Sequence, residues 1–192
     1  MRMTRRHAGL TALTGWLAGG TQWLEAAPGK FSNRRAPGFS LPDSAGKQYD
    51  GTDFRGKVLL LEFMQTKCPF CRAMSGVLEQ TKTKFGDRIE VLSVVVMPDT
   101  PQNVAQYIKE NNVRTPILYD CGQMTASYLR ITPQNPTVRF PHLFLIDKDG
   151  VIRNDFDHDD AGSGKVTVTL LAAEVQKLLG PQQQGVPPAK KR

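Results

Sequence analysis

Apolar residues in this chain gather into short runs separated by polar, glycine- and proline-bearing stretches. Val58-Leu59-Leu60-Leu61, continued by Glu62-Phe63-Met64, is apolar on both faces. Lys57 to Met64 is therefore predicted as a buried central strand. Ile89 to Val96, rich in β-branched residues, predicts a second strand. Ile117-Leu118-Tyr119 predicts a short third. His142 to Ile146 predicts a fourth, turned by Asp147-Lys148-Asp149-Gly150 into Val151-Ile152 as a hairpin. Between these runs the pattern changes. Arg72 to Phe85 reads as a helix closed by Gly86. Thr100-Pro101 opens another, with threonine as N-cap and proline at the first helical position. Its Val104, Tyr107 and Ile108 fall at helical spacing, and Asn111-Asn112 ends it. Gly122 to Leu129 reads as a short helix, and Val166 to Leu179 as a closing helix stopped by Gly180-Pro181. Phe39 to Leu41 and the stretch around Tyr49 are short strands on either side of the turn Asp43-Ser44-Ala45-Gly46. Alternation of this kind is an α/β pattern, a central sheet flanked by helices.

The ends of the chain read differently. Arg2, Arg5 and Arg6 precede an apolar stretch from Ala8 to Ala18, and Ala18-Gly19-Gly20 and Ala26-Ala27 offer small residues for cleavage. That stretch is shorter than the ~18 to 20 residues that crossing a bilayer requires. Residues 1–27 are accordingly expected to be a cleaved export signal rather than an anchor, and the protein to be periplasmic or otherwise exported. Thr4-Arg5-Arg6-His7-Ala8-Gly9-Leu10 resembles a twin-arginine signal, and ordinary secretory export stays open. Residues 28–35 are expected to be a linker, residues 36–180 the folded domain, and residues 181–192, polar, proline-bearing and basic, a disordered tail. The net charge of +7 raises nucleic-acid binding as a reading. Its location answers that. Residues 1–35 hold six Lys/Arg against one Glu, and the last three residues are all basic, so the body is near neutral. No nucleic-acid partner is expected.

Three cysteines are too few for a disulfide scaffold, and two of them form Cys68-Pro69-Phe70-Cys71. This pair lies where the first apolar strand gives way to a helix. There Cys68 sits near the helix N-terminus, whose unpaired N–H groups and dipole favour an anionic sulfur. Cys71 lies one turn further in, close enough to close a small ring with Cys68. The exposed thiol then attacks a partner's disulfide and the buried one resolves the mixed disulfide. Lys67, beside Cys68, supplies either a cation that supports a thiolate or a solvated charge that tunes nothing. Cys121 is read as a small buried hydrophobe. Asp155, Asp157, His158, Asp159 and Asp160 lack a full calcium-loop signature and read as a solvated loop. No metal and no cofactor are expected. His142 either faces the site or fills a half-buried position.

Phe63-Met64-Gln65-Thr66-Lys67-Cys68-Pro69-Phe70-Cys71 resembles the F-W-A-x-W-C-x-x-C segment of thioredoxin-like proteins. Ala36-Pro37-Gly38-Phe39-Ser40-Leu41 resembles the A-P-x-F-x-L opening of peroxiredoxins and of the TlpA/ResA branch of exported thioredoxin-like reductases, an AhpC/TSA-related superfamily. Phe140-Pro141-His142-Leu143-Phe144-Leu145-Ile146-Asp147 resembles that branch's V-P-x-x-F-L-I-D. The resemblance covers roughly residues 36–180. It implies a thioredoxin-like fold with a central mixed sheet, an N-terminal strand extension and a helix–strand insertion. It implies that Pro141 is a cis proline beside the disulfide, placing the Phe140 backbone where a bound peptide strand can pair with it. It also implies that Glu62 is a buried carboxyl that takes the proton of Cys71. The TlpA-like branch often carries a neutral residue at that position, so Glu62 departs from it.

The expectation is an exported, monomeric thiol–disulfide oxidoreductase that reduces disulfide-bearing protein substrates and is re-reduced by a membrane thiol donor. Its catalytic residues are Cys68, Cys71, Glu62 and Pro141. Three rival readings remain: a peroxiredoxin-like thiol peroxidase, a DsbA-like dithiol oxidant, and a binding module that kept the fold without the chemistry. Thr66 stands two residues before Cys68, out of register with the peroxiredoxin pattern P-x-x-x-T-x-x-C.

Overall fold

A computed structural model describes residues 28–180. The two flanking segments expected as an export signal and a disordered tail lie outside the described residues. The strands are β1 (Arg34–Arg35), β2 (Ser40–Pro42), β3 (Gln48–Asp50), β4 (Val58–Met64), β5 (Ile89–Val96), β6 (Ile117–Asp120), β7 (His142–Ile146) and β8 (Val151–Phe156). The α-helices are α1 (Pro69–Phe85), α2 (Pro101–Asn111), α3 (Gln123–Leu129), α4 (His158–Gly162) and α5 (Val168–Leu179). Six strands form one sheet in the order β1-β8-β7-β4-β5-β6, and β2 pairs with β3 as a separate two-stranded ribbon. The β4–β5 and β5–β6 pairs are parallel, whereas β7 runs antiparallel to both β4 and β8, so the sheet is mixed. No helix among the described residues is long and apolar enough to cross a membrane.

β4 is buried at all seven positions because both of its faces are covered. Val58 and Leu60 pack with Met74 and Leu78 of α1 and Leu171 and Val175 of α5. Leu59, Leu61 and Phe63 pack on the other face with Tyr128 of α3 and Phe144 of β7. A third cluster joins Met64 and Val95 at the strand ends to Cys71, Val104 and Tyr107. Side chains alternate along a strand. Glu62 therefore shares the face of Leu60 and Met64, the face that α1 covers.

Several expectations require correction. The helix after β4 starts at Pro69, three residues before Arg72, because Cys68 caps it in extended conformation and proline suits its first position. Residues 28–35 are not a linker. Phe31 is buried among Phe144 and His142, and β1 pairs with the start of β8. β8 continues to Phe156, so Asp155 is a buried strand residue rather than part of a solvated loop. The next four residues open α4, where Asp157 and Asp160 form a reciprocal capping box. Cys121 is exposed, not buried. The buried residue there is its neighbour Asp120, whose carboxylate accepts from Thr125 N at 2.8 Å and Met124 N at 3.2 Å and so anchors α3. Cys121 lies just past the strand end and turns outward.

Candidate active site

The path from β4 into α1 builds the site. After Met64 the chain turns through Thr66, whose N–H donates to Asp99 Oδ2 at 2.8 Å and whose hydroxyl donates to the same carboxylate. This ties the turn to the loop after β5. Cys68 then caps α1. Its Sγ accepts the Cys71 N–H at 3.2 Å, the bond an N-cap side chain makes to the third helical residue. The sulfur of Cys68 therefore faces the positive end of a 17-residue helix while remaining part-exposed. Cys71, inside the first turn, is fully buried with Met64, Val95 and Tyr107. Both cysteines are free thiols. Lys67 is exposed.

On the other side of Cys68 stands the segment before β7. The Phe140–Pro141 bond is cis, and Cys68 Sγ donates to the Phe140 carbonyl at 3.4 Å. That carbonyl also accepts from His158 Nδ1 at 2.5 Å. The edge of the Phe70 ring meets the His158 imidazole with centroids 5.1 Å apart. α4 thus touches the dipeptide between the cysteines and the residue before Pro141. Phe70 and Met97 are the large hydrophobic residues left exposed among the described residues, and Phe70 is part of this site.

Beneath Cys71 lies Glu62, with no exposed surface. Ser93 Oγ on β5 donates to its Oε2 at 2.8 Å, and its Oε1 has no hydrogen-bond partner among the described residues. Burial pushes the Glu62 carboxyl up from 4.5 to about 8, and the Ser93 bond pulls it partly back. A shift of that size corresponds to roughly 5 kcal/mol against the carboxylate. That net figure already includes what the Ser93 bond returns, about 1.5–3 kcal/mol for a hydrogen bond to a charged group, so desolvation outweighs it. Burial also pushes the Cys71 thiol up, and the charge of Glu62 pushes it further. A buried carboxyl beneath a buried thiol, each held toward its neutral form, is an arrangement in which one can take the other's proton. Tyr107 on α2 bonds Ser75 on α1 at 2.8 Å at the edge of the same buried patch.

His142, directly after Pro141, points to the opposite face of the sheet. Its Nε2 lies 3.0 Å from Asp155 Oδ2, and Asp155 Oδ1 accepts from Phe31 N at 2.8 Å and Ser32 Oγ at 3.1 Å. A groove of about 280 Å³, lined by Lys30, Phe31, Val138, Arg139, His142 and His158 among others, runs beside Phe140. The loop from Ile131 to Arg139 forms one wall of it. His158 is the site residue that sequence reasoning missed. The signal was present as Asp157-x-x-Asp160, an N-capping pair around His158, but it was submerged in a run of acids. No cluster of three or more His, Cys, Asp or Glu able to hold a metal occurs among the described residues.

Residues 33–155 match the profile of the AhpC/TSA family. Thioredoxin-like protein YneN of Bacillus subtilis (strain 168) is 26% identical over 147 residues, which is 76% of this chain and 82% of that protein. Thiol-disulfide oxidoreductase ResA of Bacillus thuringiensis subsp. konkukian (strain 97-27) is 26% identical over 119 residues, 62% of this chain. The match spans 65% of that protein, just under two thirds of its length. Among solved structures, a thiol:disulfide interchange protein of the thioredoxin family from Chlorobium tepidum TLS aligns with a TM-score of 0.65 at 21% identity. That alignment covers 81% of this chain and 99% of the other. The shared fold is thioredoxin-like, a mixed central sheet with flanking helices.

Proposed function

Because the chain belongs to the AhpC/TSA family, we propose that it is a thiol–disulfide oxidoreductase that reduces protein disulfides through a Cys68–Cys71 cycle. The asymmetry of the two sulfurs carries this reading. Cys68 is part-exposed at a helix N-terminus, and Cys71 is buried one turn away with its N–H on the Cys68 sulfur. The Cys68 thiolate attacks one sulfur of a client disulfide, and the other client sulfur leaves as a thiolate and takes a proton from water. Cys71 then gives its proton to the Glu62 carboxylate and attacks Cys68 Sγ. The second client sulfur departs as a thiolate and takes a proton from water or from the Glu62 carboxyl, and two electrons have passed from the dithiol to the client. Glu62 suits this step because, pushed up to about 8, it is a far better base toward a buried thiol than an ordinary carboxylate. Pro141 holds the Phe140 backbone beside the sulfur, where a client strand would lie.

The basic and apolar pattern of residues 1–27 supports export, with a membrane thiol donor regenerating the dithiol where no cytosolic thiol pool exists. Against the peroxidase reading, the Thr66 hydroxyl is held by Asp99. It is therefore not offered to the Cys68 sulfur.

The test is a trapping experiment. Cys71→Ser mixed with a disulfide-bearing protein accumulates a reducible adduct through Cys68, while Cys68→Ser forms none. Absence of the adduct removes the reading. The reduction potential of the pair sets direction: a value below about −230 mV supports reduction, and one near about −120 mV supports the opposite flow.

A further inference from the structure

The Phe140 carbonyl is a shared acceptor. It takes the S–H of Cys68 at 3.4 Å and the Nδ1–H of His158 at 2.5 Å. A carbonyl oxygen only accepts, so the His158 nitrogen facing it must carry the proton. The ring cannot easily swing away. The Phe70 edge packs on it, and the Asp157 capping box fixes the helix turn that carries it. Arg139 Nη2 bonds Asp159 Oδ2 at 2.6 Å, tying α4 to the residue before Phe140.

When Cys68 ionises, its proton goes to water and its S–H bond to Phe140 disappears. The carbonyl would then turn an unpaired lone pair toward an anion. A half-buried acceptor left in that state opposes ionisation. The His158 bond remains, keeps the carbonyl satisfied and draws electron density away from the end that faces the sulfur.

We propose that His158 is a positioning residue for attack by Cys68, holding the Phe140 carbonyl through Nδ1–H so that the thiol can ionise and react without orphaning that acceptor. The inference rests on the reading of Cys68 as the attacking sulfur. It deepens that reading by naming an α4 side chain that acts on the nucleophile through a backbone carbonyl.

The experiment measures alkylation of Cys68 by iodoacetamide in the full chain carrying Cys121→Ser, since Cys121 is also exposed. His158→Phe keeps a ring against Phe70 and removes the donor. It is expected to slow alkylation about five- to tenfold, the loss of one hydrogen bond. His158→Asn places an amide N–H at the reach of Nδ1 and is expected to restore the rate to within about twofold. Should the phenylalanine variant fail to fold, His158→Ala takes its place. Wild-type alkylation rates in the donorless variant overturn the proposal. So does a slow rate that asparagine fails to rescue, which marks a packing role. Alkylation needs no client, so a chain that fails the trapping experiment above still gives a clear result here.

Discussion

Ser93 Oγ donates to Glu62 Oε2 at 2.8 Å on adjacent parallel strands, and the second oxygen of the same carboxyl has no partner among the described residues. One satisfied oxygen is enough to orient the group but not to offset its burial. Glu62 is therefore a carboxyl held toward its protonated form, and its behaviour is measurable.

Stability should fall as pH rises. The folded carboxyl sits near 8 and its ordinary value is 4.5, so between those values the folded chain binds a proton that the unfolded chain has lost. The contribution is complete below about 4.5 and is lost as pH climbs through about 8, a change on the order of a few kcal/mol. Urea midpoints of the reduced protein measured from about pH 5 to 9 should decline, and Glu62→Gln should flatten the slope. An unchanged slope in the glutamine variant would place the titration elsewhere.

Ser93→Ala should move the carboxyl further up, since the hydroxyl bond favours its charged form. The pH profile for release of a client from the Cys68 mixed disulfide should shift to higher pH, at a stability cost of about 1 kcal/mol. Single-turnover release followed across pH checks this, and a profile that shifts downward contradicts it.

The N-terminal segment should depend on Asp155. That carboxylate accepts Phe31 N, Ser32 Oγ and the His142 ring, all at buried or half-buried positions. Asp155→Ala orphans these donors and should cost about 2–4 kcal/mol. Gly29→Ala should act similarly, because a Cβ there would lie 2.3 Å from the Asp155 carbonyl oxygen. Limited proteolysis should cut first within residues 28–36 in both variants. Protection equal to wild type would refute the dependence.

The short helix beside the cysteines should govern protein clients more than small disulfides. A Cβ on Gly162 would come 3.3 Å from the Phe70 ring, so Gly162→Val displaces that ring. Reduction of a protein disulfide should slow several-fold more than that of a small aromatic disulfide, which loses only what the His158 ring loses when Phe70 moves. Thermal stability should change by under about 1 kcal/mol, because Phe70 is an exposed residue. Equal slowing of both substrates would contradict a docking role for Phe70.

These residues also mark how far the chain could be read unaided. The two-sided apolar runs Val58–Met64 and Ile89–Val96 are legible as strands because they are too short for a buried helix and are bounded by turn residues, and side-chain parity alone puts Glu62 under α1. Pro101 and Thr100, and Gly86 and Gly180, mark helix ends by local chemistry that needs no tertiary partner. The attachment of residues 28–35 was hidden for the opposite reason. Its two-residue strand and its Asp155 contacts, more than 120 positions apart in sequence, exist only once β8 is in place. Asp155, Asp157 and Asp160 look alike as letters. One is a buried acceptor and two cap a helix, and only the fold separates them.

The pairing of Arg34–Arg35 with β8 has a consequence for life in a crowded compartment. A sheet border lined with free amides invites neighbouring chains to zip onto it. Here that border ends in a stub of two arginines, and Asn33 N reaches Ile152 O at 2.8 Å while Gly29 N reaches Asn154 Oδ1 at 2.9 Å. On the proposed reading, a protein that meets its clients by their sulfurs would keep one flank closed to them, so that contact stays fleeting and does not grow into a fibre.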